Sequence, residues 1–335
     1  MAKNRMSPIS KGMTFKQGRE LVIRIKKLEG RSKMTLDGYN KIFNDFERCF
    51  GVRKHINNVT VDDARNFIHW QLHEKTQFLK SRFRKDKKIG VSIPSANSYL
   101  RSAKAAFEVF VKDEIIESNP FRPLNKIKTQ QRPVETLTPN EIKEILKVLD
   151  KTWYADFRDY VVIHVMLDSF GRVNEICNLK KTDVDYERGA ITFQETKNSK
   201  FRIVPVSNKM LRLFEQLNDE TKEFDSPYIF CSNRGDMLHP DTFRKHFREV
   251  VAKTNLAKRV HPHIFRHTAS TLFLAEGGSI RALQKILGHS EITTTMIYSH
   301  MMDSTIKEQH ERFSPLKAIE MSEQIKTRTK IGKLK

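Results

Sequence analysis

From Phe15 to Val111 the apolar side chains return every three or four residues and never settle into alternation, a pattern that folds into packed amphipathic helices and not into sheet. Phe15 to Leu28 carries this spacing and stops at Gly30. Thr35 to Phe50 sets Leu36, Tyr39, Ile42, Phe43, Phe46 and Phe50 on one side and stops at Gly51. Thr60-Val-Asp-Asp offers an N-cap and first-turn acids to a third helix through Phe67, Trp70 and Leu72. Ser95 caps a fourth, through Tyr99, Leu100, Ala103, Phe107 and Val109. Asn119-Pro-Phe-Arg-Pro then breaks helix, and the polar, basic stretch from Leu124 to Arg132 reads as a domain linker.

Beyond the linker a Thr-Pro-Asn-Glu start after Leu137 opens a new helix with Pro139 in its first turn, and a buried helix follows from Phe157 to about Ser169. The period then changes. Gly189-Ala-Ile-Thr-Phe-Gln-Glu-Thr and Phe201-Arg-Ile-Val-Pro-Val flank a polar Lys-Asn-Ser-Lys turn, which predicts a β-hairpin, and Tyr228-Ile-Phe-Cys reads as a further short strand. The rest is helical to about Phe313, so the expected class is mainly α with a small β-sheet. From Leu316 to Lys335 the chain is basic and poor in large apolar residues, as expected of a mobile tail.

Charge narrows the function. The 335 residues hold 61 Lys and Arg against 40 Asp and Glu, but residues 1–130 hold 28 against 13, and residues 131–310 hold 26 against 24. Such asymmetry is the footprint of a polyanion-binding module joined to a balanced domain, and it argues against a simple metabolic enzyme. The densest run, Lys80 to Lys88, lacks the apolar face of a membrane-surface helix and reads as a segment facing a phosphate backbone. No apolar stretch approaches the roughly 18 residues of a spanning helix, and Tyr160 to Leu167 is interrupted by His164. The basic N-terminus has no apolar stretch behind it, so no secretory signal is expected. Cys49, Cys177 and Cys231 are odd in number and far apart, which predicts reduced thiols.

In His261-Pro-His-Ile-Phe-Arg-His-Thr a helix starting at Pro262 puts His263, Arg266 and His267 on one face. A metal site at the three histidines is disfavoured, because Arg266 would sit beside the cation and no acidic ligand is close in sequence. Leu287-Gly288-His289 follows, with Gly288 suited to end one helix in a left-handed conformation and Ser290 to cap the next, which carries Thr293 to His300.

The order HxxRH, LGH and a Tyr nine residues after that His resembles the tyrosine recombinase (phage integrase) family. Ser169-Phe-Gly-Arg172-Val-Asn-Glu175 looks like the family's first arginine motif, and Thr196-Lys197-Asn-Ser-Lys200-Phe-Arg202 like its hairpin lysine motif. The resemblance implies a helical, SAM-like core-binding domain at 15–128 and an integrase-type catalytic domain at 133–315, between a basic extension at 1–14 and the tail at 316–335. It implies a site-specific recombinase that cleaves DNA through a 3′-phosphotyrosyl intermediate, with catalytic residues Arg172, Lys197, His263, Arg266, His289 and Tyr298. Guanidinium forks match the non-bridging oxygens of a phosphodiester under attack. Tyr298 would be the nucleophile and His263 the base that its phenol, with a reference pKa of about 10, needs near neutrality. Lys197, with Lys200 as its rival, would protonate the leaving 5′-oxygen, and His289 would hydrogen-bond the phosphate. Glu175 would support Arg172 or a helix end, and His267 would turn toward backbone or an acid.

No cofactor and no metal is expected. The implied partners are double-stranded DNA with paired half-sites, a homotetramer on that DNA and an accessory DNA-bending or directionality factor, with no membrane, in the cytoplasm at the nucleoid. The segment from Lys307 to Leu316 is expected to dock on a neighbouring protomer. In one departure from the family, Phe170 stands where Thr-Gly-Leu-Arg has its glycine, and in another Asn198 stands where the hairpin often has glycine. The first motivates an alternative, a recombinase fold kept as a sequence-specific DNA-binding regulator (repressor) without strand exchange. A monomeric topoisomerase of the same chemistry is a third reading, made remote by the integrase-like first half.

Overall fold

The computed structural model describes residues 12–77, 88–129, 134–194 and 201–298, which fall in two compact units divided at Arg132 and Pro133. Most of the basic run from Lys80, the hairpin turn with Lys197 and Lys200, and everything after Tyr298, including Lys307 to Leu316 and the tail, lie outside the described residues. No described helix is long and apolar enough to cross a membrane.

Among the described residues the first unit has four α-helices: α1 (Phe15–Leu28), α2 (Lys33–Phe50), α3 (Val61–His73) and α4 (Ile93–Lys112). Thr14 and Thr60 open α1 and α3 with reciprocal capping boxes to Gln17 and Asp63. The helix expected to start at Ser95 starts instead after Ser92, because Pro94 fits the first turn, where its missing N–H costs nothing. Phe15, Phe43, Phe46, Phe67, Phe107, Phe110 and Phe121 fill the core, with Phe46 4.8 Å from Phe67 and edge-on to Phe107 at 5.6 Å between ring centroids. A side chain at Gly18 would collide with Ile56 and Phe110, so this glycine sets how closely its neighbours approach α1. Asp45 and Lys75 form a buried ion pair, completed by Gln71 donating to Asp45 at 3.2 Å and accepting from Lys75 at 3.0 Å.

The second unit holds α5 (Pro139–Val148), α6 (Tyr154–Ser169), α7 (Val173–Cys177), α8 (Asn208–Glu220), α9 (Pro240–Ala252), α10 (His263–Ala275) and α11 (Ile280–Leu287). The expected Thr138 cap forms, with Glu141 completing a capping box. Helix α6 is apolar nearly all round because it packs against both α8 and α10. Strands β1 (Val184–Asp185), β2 (Ala190–Gln194) and β3 (Phe201–Pro205) make an antiparallel sheet in that order, with Ile191 opposite Val204 and Phe193 opposite Arg202. The hairpin is the expected one, and β1 is an addition to it. The expected strand at Tyr228 to Cys231 makes only isolated bridges, Lys180 with Tyr228 and Cys231 with Met237. As far as Tyr298, the last described residue, the helix expected from Thr293 to His300 runs as 3-10 turns, Ile292–Thr294 and Met296–Tyr298, and Glu291, not Ser290, stands at the N-cap. Three consecutive threonines and an isoleucine, stiff at χ1, weaken an α-helix there. The fold is thus mainly helical with one small sheet.

Candidate active site

Arg266 is the fixed point of the site. Its residue is 2% exposed, one turn into α10, and its guanidinium would be costly to bury alone. Two helix ends compensate for that burial. Helix α6 closes on Phe170 in the left-handed conformation, φ 57° and ψ 18°, which leaves the Phe170 carbonyl free to accept from Arg266 Nη1 at 2.5 Å. Helix α11 closes on Gly288, also left-handed with φ 68°, and the Leu287 carbonyl accepts from Nη2 at 2.8 Å. Both carbonyls lie at the negative ends of helix dipoles, where a cation is favoured. Burial first, and the charge of Arg172 next, push the Arg266 guanidinium down to about 9, so it stays charged at neutral pH.

The left-handed geometry at Phe170 is what a glycine adopts freely, so a phenylalanine holds it under strain. Phe170 secures its ring in a small apolar cluster with Ala269, Leu274, Leu283, Leu287 and Tyr298, edge-on to Phe273 at 5.8 Å. The following Gly171 has no room for a side chain beside Ile176 and Phe193.

Arg172 stands at the N-cap of α7, where Glu175 accepts both its backbone N–H and its Nη1, each at 2.8 Å. The same carboxylate takes Nη2 of Arg202 at 2.7 Å and Nη1 at 3.1 Å. Burial alone would raise the Glu175 pKa, but the hydrogen bond and charge of Arg202, followed by Arg172, hold it down to about 2. Arg202 reaches inward from β3, lies 4.7 Å above the Phe193 ring and donates Nε to the Ile286 carbonyl at 2.9 Å. Arg172 remains partly open and lines a cleft of about 350 Å³ with Asn174, Arg244, His261 and His263. Burial and then Arg266 lower the His263 pKa.

His289 accepts from Arg266 Nη2 at its Nε2, 3.2 Å away, so its proton resides on Nδ1, which faces Thr295 Oγ1 at 3.0 Å. Burial, with Arg266 second, pushes this imidazole down to about 4, consistent with a neutral ring that serves as an acceptor. Tyr298 is 2% exposed, and its hydroxyl lies 2.7 Å from His267 Nδ1. Burial raises its pKa, against opposing effects of Ser270 and Arg266.

Of the six residues expected to act, Arg266 and His289 are in direct contact, Tyr298 lies in the cluster between their helices, and Arg172 and His263 line the adjoining cleft. Lys197 lies outside the described residues. His267 turns to Tyr298 and not to backbone or an acid. Glu175 supports Arg172, as expected, and also Arg202, whose part sequence reasoning missed.

Residues 135–305 match the Phage integrase family. Over 294 residues the chain is 28% identical to tyrosine recombinase XerC of Bacillus licheniformis, covering 85% of this chain and 91% of that protein. It is 30% identical over 233 residues to a tyrosine recombinase of Pseudothermotoga lettingae, covering 70% of this chain and 78% of that protein. Among solved structures, a Tn1549 transposon integrase in complex with a circular intermediate DNA superposes with TM-score 0.70 at 23% identity, covering 88% of this chain and 99% of that one. A lambda integrase tetramer bound to a Holliday junction gives 0.66 at 16% identity, covering 88% and 84%. At these identities the structural likeness is one of fold.

Proposed function

Because the chain belongs to the phage integrase family of tyrosine recombinases, we propose that it is a site-specific recombinase that cuts and rejoins double-stranded DNA through Tyr298. The observation that carries this reading is the buried Arg266, held between two helix ends beside His289, with a phenol in the same small cluster. Arg266 and the cleft-lining Arg172 bind the non-bridging oxygens of the scissile phosphate, where charge accumulates during attack. The Tyr298 oxygen bonds to phosphorus, the bond to the 5′-oxygen breaks, and the phosphotyrosyl ester keeps that bond's free energy for religation by another 5′-hydroxyl. His263 takes the phenolic proton, Lys197 supplies one to the departing oxygen, and neutral His289 steadies Arg266 by accepting from its Nη2.

The working assembly is a tetramer on two DNA sites, each of paired half-sites, in the cytoplasm at the nucleoid, with an accessory DNA-bending or directionality factor choosing the outcome. The net positive charge of residues 1–130 supplies much of the hold on the phosphate backbone. The left-handed Phe170 keeps its carbonyl on Arg266, so that departure gives no support to a regulator lacking strand exchange. Incubation with a nicked half-site that traps the covalent product tests the proposal. A denaturation-resistant protein–DNA adduct is expected from the wild type and none from Tyr298→Phe, with DNA binding nearly unchanged. An adduct with Tyr298→Phe would show that another residue is the nucleophile.

A further inference from the structure

The segment that carries Tyr298 is weakly built. As far as Tyr298, the last described residue, its 3-10 turns are closed by bonds three residues back, Thr294 to Glu291 at 3.2 Å, Thr295 to Ile292 at 2.8 Å and Tyr298 to Thr295 at 3.1 Å, in place of the better-aligned four-residue bonds of an α-helix. Such turns alone do not fix a phenol to within the fractions of an ångström that in-line attack demands. Side chains supply the missing constraint. Thr295 is pinned to His289, and the Tyr298 hydroxyl is pinned to His267 Nδ1 at 2.7 Å.

We infer that His267 is the positioning residue of the nucleophile, holding the Tyr298 hydroxyl at a set place relative to the phosphate-binding Arg266, its neighbour in the chain. This rests on the recombinase reading for its consequence, while the contact itself stands on the structure. His267 and Arg266 leave α10 from consecutive residues, so the distance between nucleophile and phosphate ligand is governed by a rigid helix and not by the turns that bear the tyrosine. The ring lies 5.8 Å from the Tyr298 ring and 4.8 Å from that of His263, between centroids. Burial, reinforced by His263, His261 and Arg266, pushes His267 down to about 4, so it is neutral under physiological conditions. A neutral imidazole protonated on Nε2 presents a lone pair at Nδ1, and the phenol donates to it before attack, releasing its proton to His263 only as the Tyr298 oxygen bonds to phosphorus. Ser270, the other hydroxyl near the phenol, donates to the Arg266 carbonyl at 2.8 Å, which ties the same helix turn to the same arrangement.

The test compares His267→Asn, whose amide occupies roughly the place of Nδ1, with His267→Phe, which keeps a ring and removes the hydrogen-bonding atom. In single-turnover cleavage of the nicked half-site at saturating protein, His267→Phe should fall about five- to ten-fold, the worth of one net hydrogen bond, with an unchanged Kd for DNA. His267→Asn should recover to within about three-fold of the wild type. Thermal unfolding of His267→Phe, Tyr298→Phe and the double variant gives a second readout that needs no activity: the two losses in Tm should be clearly less than additive. Wild-type cleavage by His267→Phe, equal failure of Asn and Phe, or additive Tm losses would each overturn the inference. If the wild type itself forms no adduct, the recombinase reading fails instead, and the Tm cycle alone decides whether His267 holds the hydroxyl.

Discussion

Phe170 offers a way to separate what a backbone carbonyl does for this site from what a side chain does. A non-glycine residue in left-handed geometry carries roughly 1–2 kcal/mol of strain, which Phe170→Gly would release. Against this, the ring is buried on Phe273 and the Tyr298 cluster, and truncating a buried Phe costs about 3–5 kcal/mol. The net expectation is a loss of about 1–4 kcal/mol in equilibrium urea unfolding, from the difference of those terms. Cleavage should behave differently. Glycine holds the left-handed turn at least as readily, so the Phe170 carbonyl stays on Arg266 and the single-turnover rate, read well below the unfolding midpoint, should stay within a few-fold of wild type. Phe170→Val retains part of the apolar volume but is β-branched and resists this conformation, so it should pull the carbonyl away and lower the rate by more than about ten-fold. A glycine variant as slow as the valine variant would refute the carbonyl's role, and a glycine variant more stable than wild type would refute the balance of strain and packing.

Glu175 should dominate the acid response of the second unit. Its folded pKa of about 2 lies below the ordinary glutamate value of 4.5, so its stabilisation is present above about pH 4.5 and is lost as pH falls toward 2. The shift corresponds to roughly 3 kcal/mol at neutral pH, and Glu175→Gln should forfeit most of it and flatten the urea midpoint across that window; an unchanged pH profile would contradict the pairing. Cleavage should be unaffected by EDTA, and loss of adduct that a divalent ion restores would overturn the arginine-based mechanism. Most salt-sensitive affinity should reside in residues 1–130, so a 131–335 fragment should bind half-site DNA more weakly and with a shallower slope of log K against log salt. An equal slope would contradict that division.

What could be read from the sequence was what neighbouring residues decide among themselves. The Thr60 and Thr138 caps, the Pro139 start, the hairpin and the Gly288 stop are local choices, and all of them form. The choice between Ser92 and Ser95 was also local, but it turned on how Pro94 fits a first turn and not on the cap residue. Arg202 was hidden because β3 inverts the expected face: Phe201 and Ile203 are 69% and 59% exposed while Arg202 is buried against Glu175. Only the alternation of an arginine with two apolar residues hinted at it, and burial of a charge depends on a partner 27 residues away. The contact of His267 with Tyr298 spans 31 residues, a separation over which local periodicity carries no information.

The carboxylate shared by Arg172 and Arg202 also bears on how such a site can drift in descent. Three positions, two on one helical turn and the third 27 residues further on, answer to one charge balance, so the first change among them is felt at once and the second is judged against it. Losing Glu175 leaves two guanidinium groups facing each other, whereas losing Arg202 first leaves a carboxylate with a single partner and a milder defect. Replacement at 175 should therefore be found in company with replacement at 202, and the order in which a lineage acquires them is fixed by electrostatics.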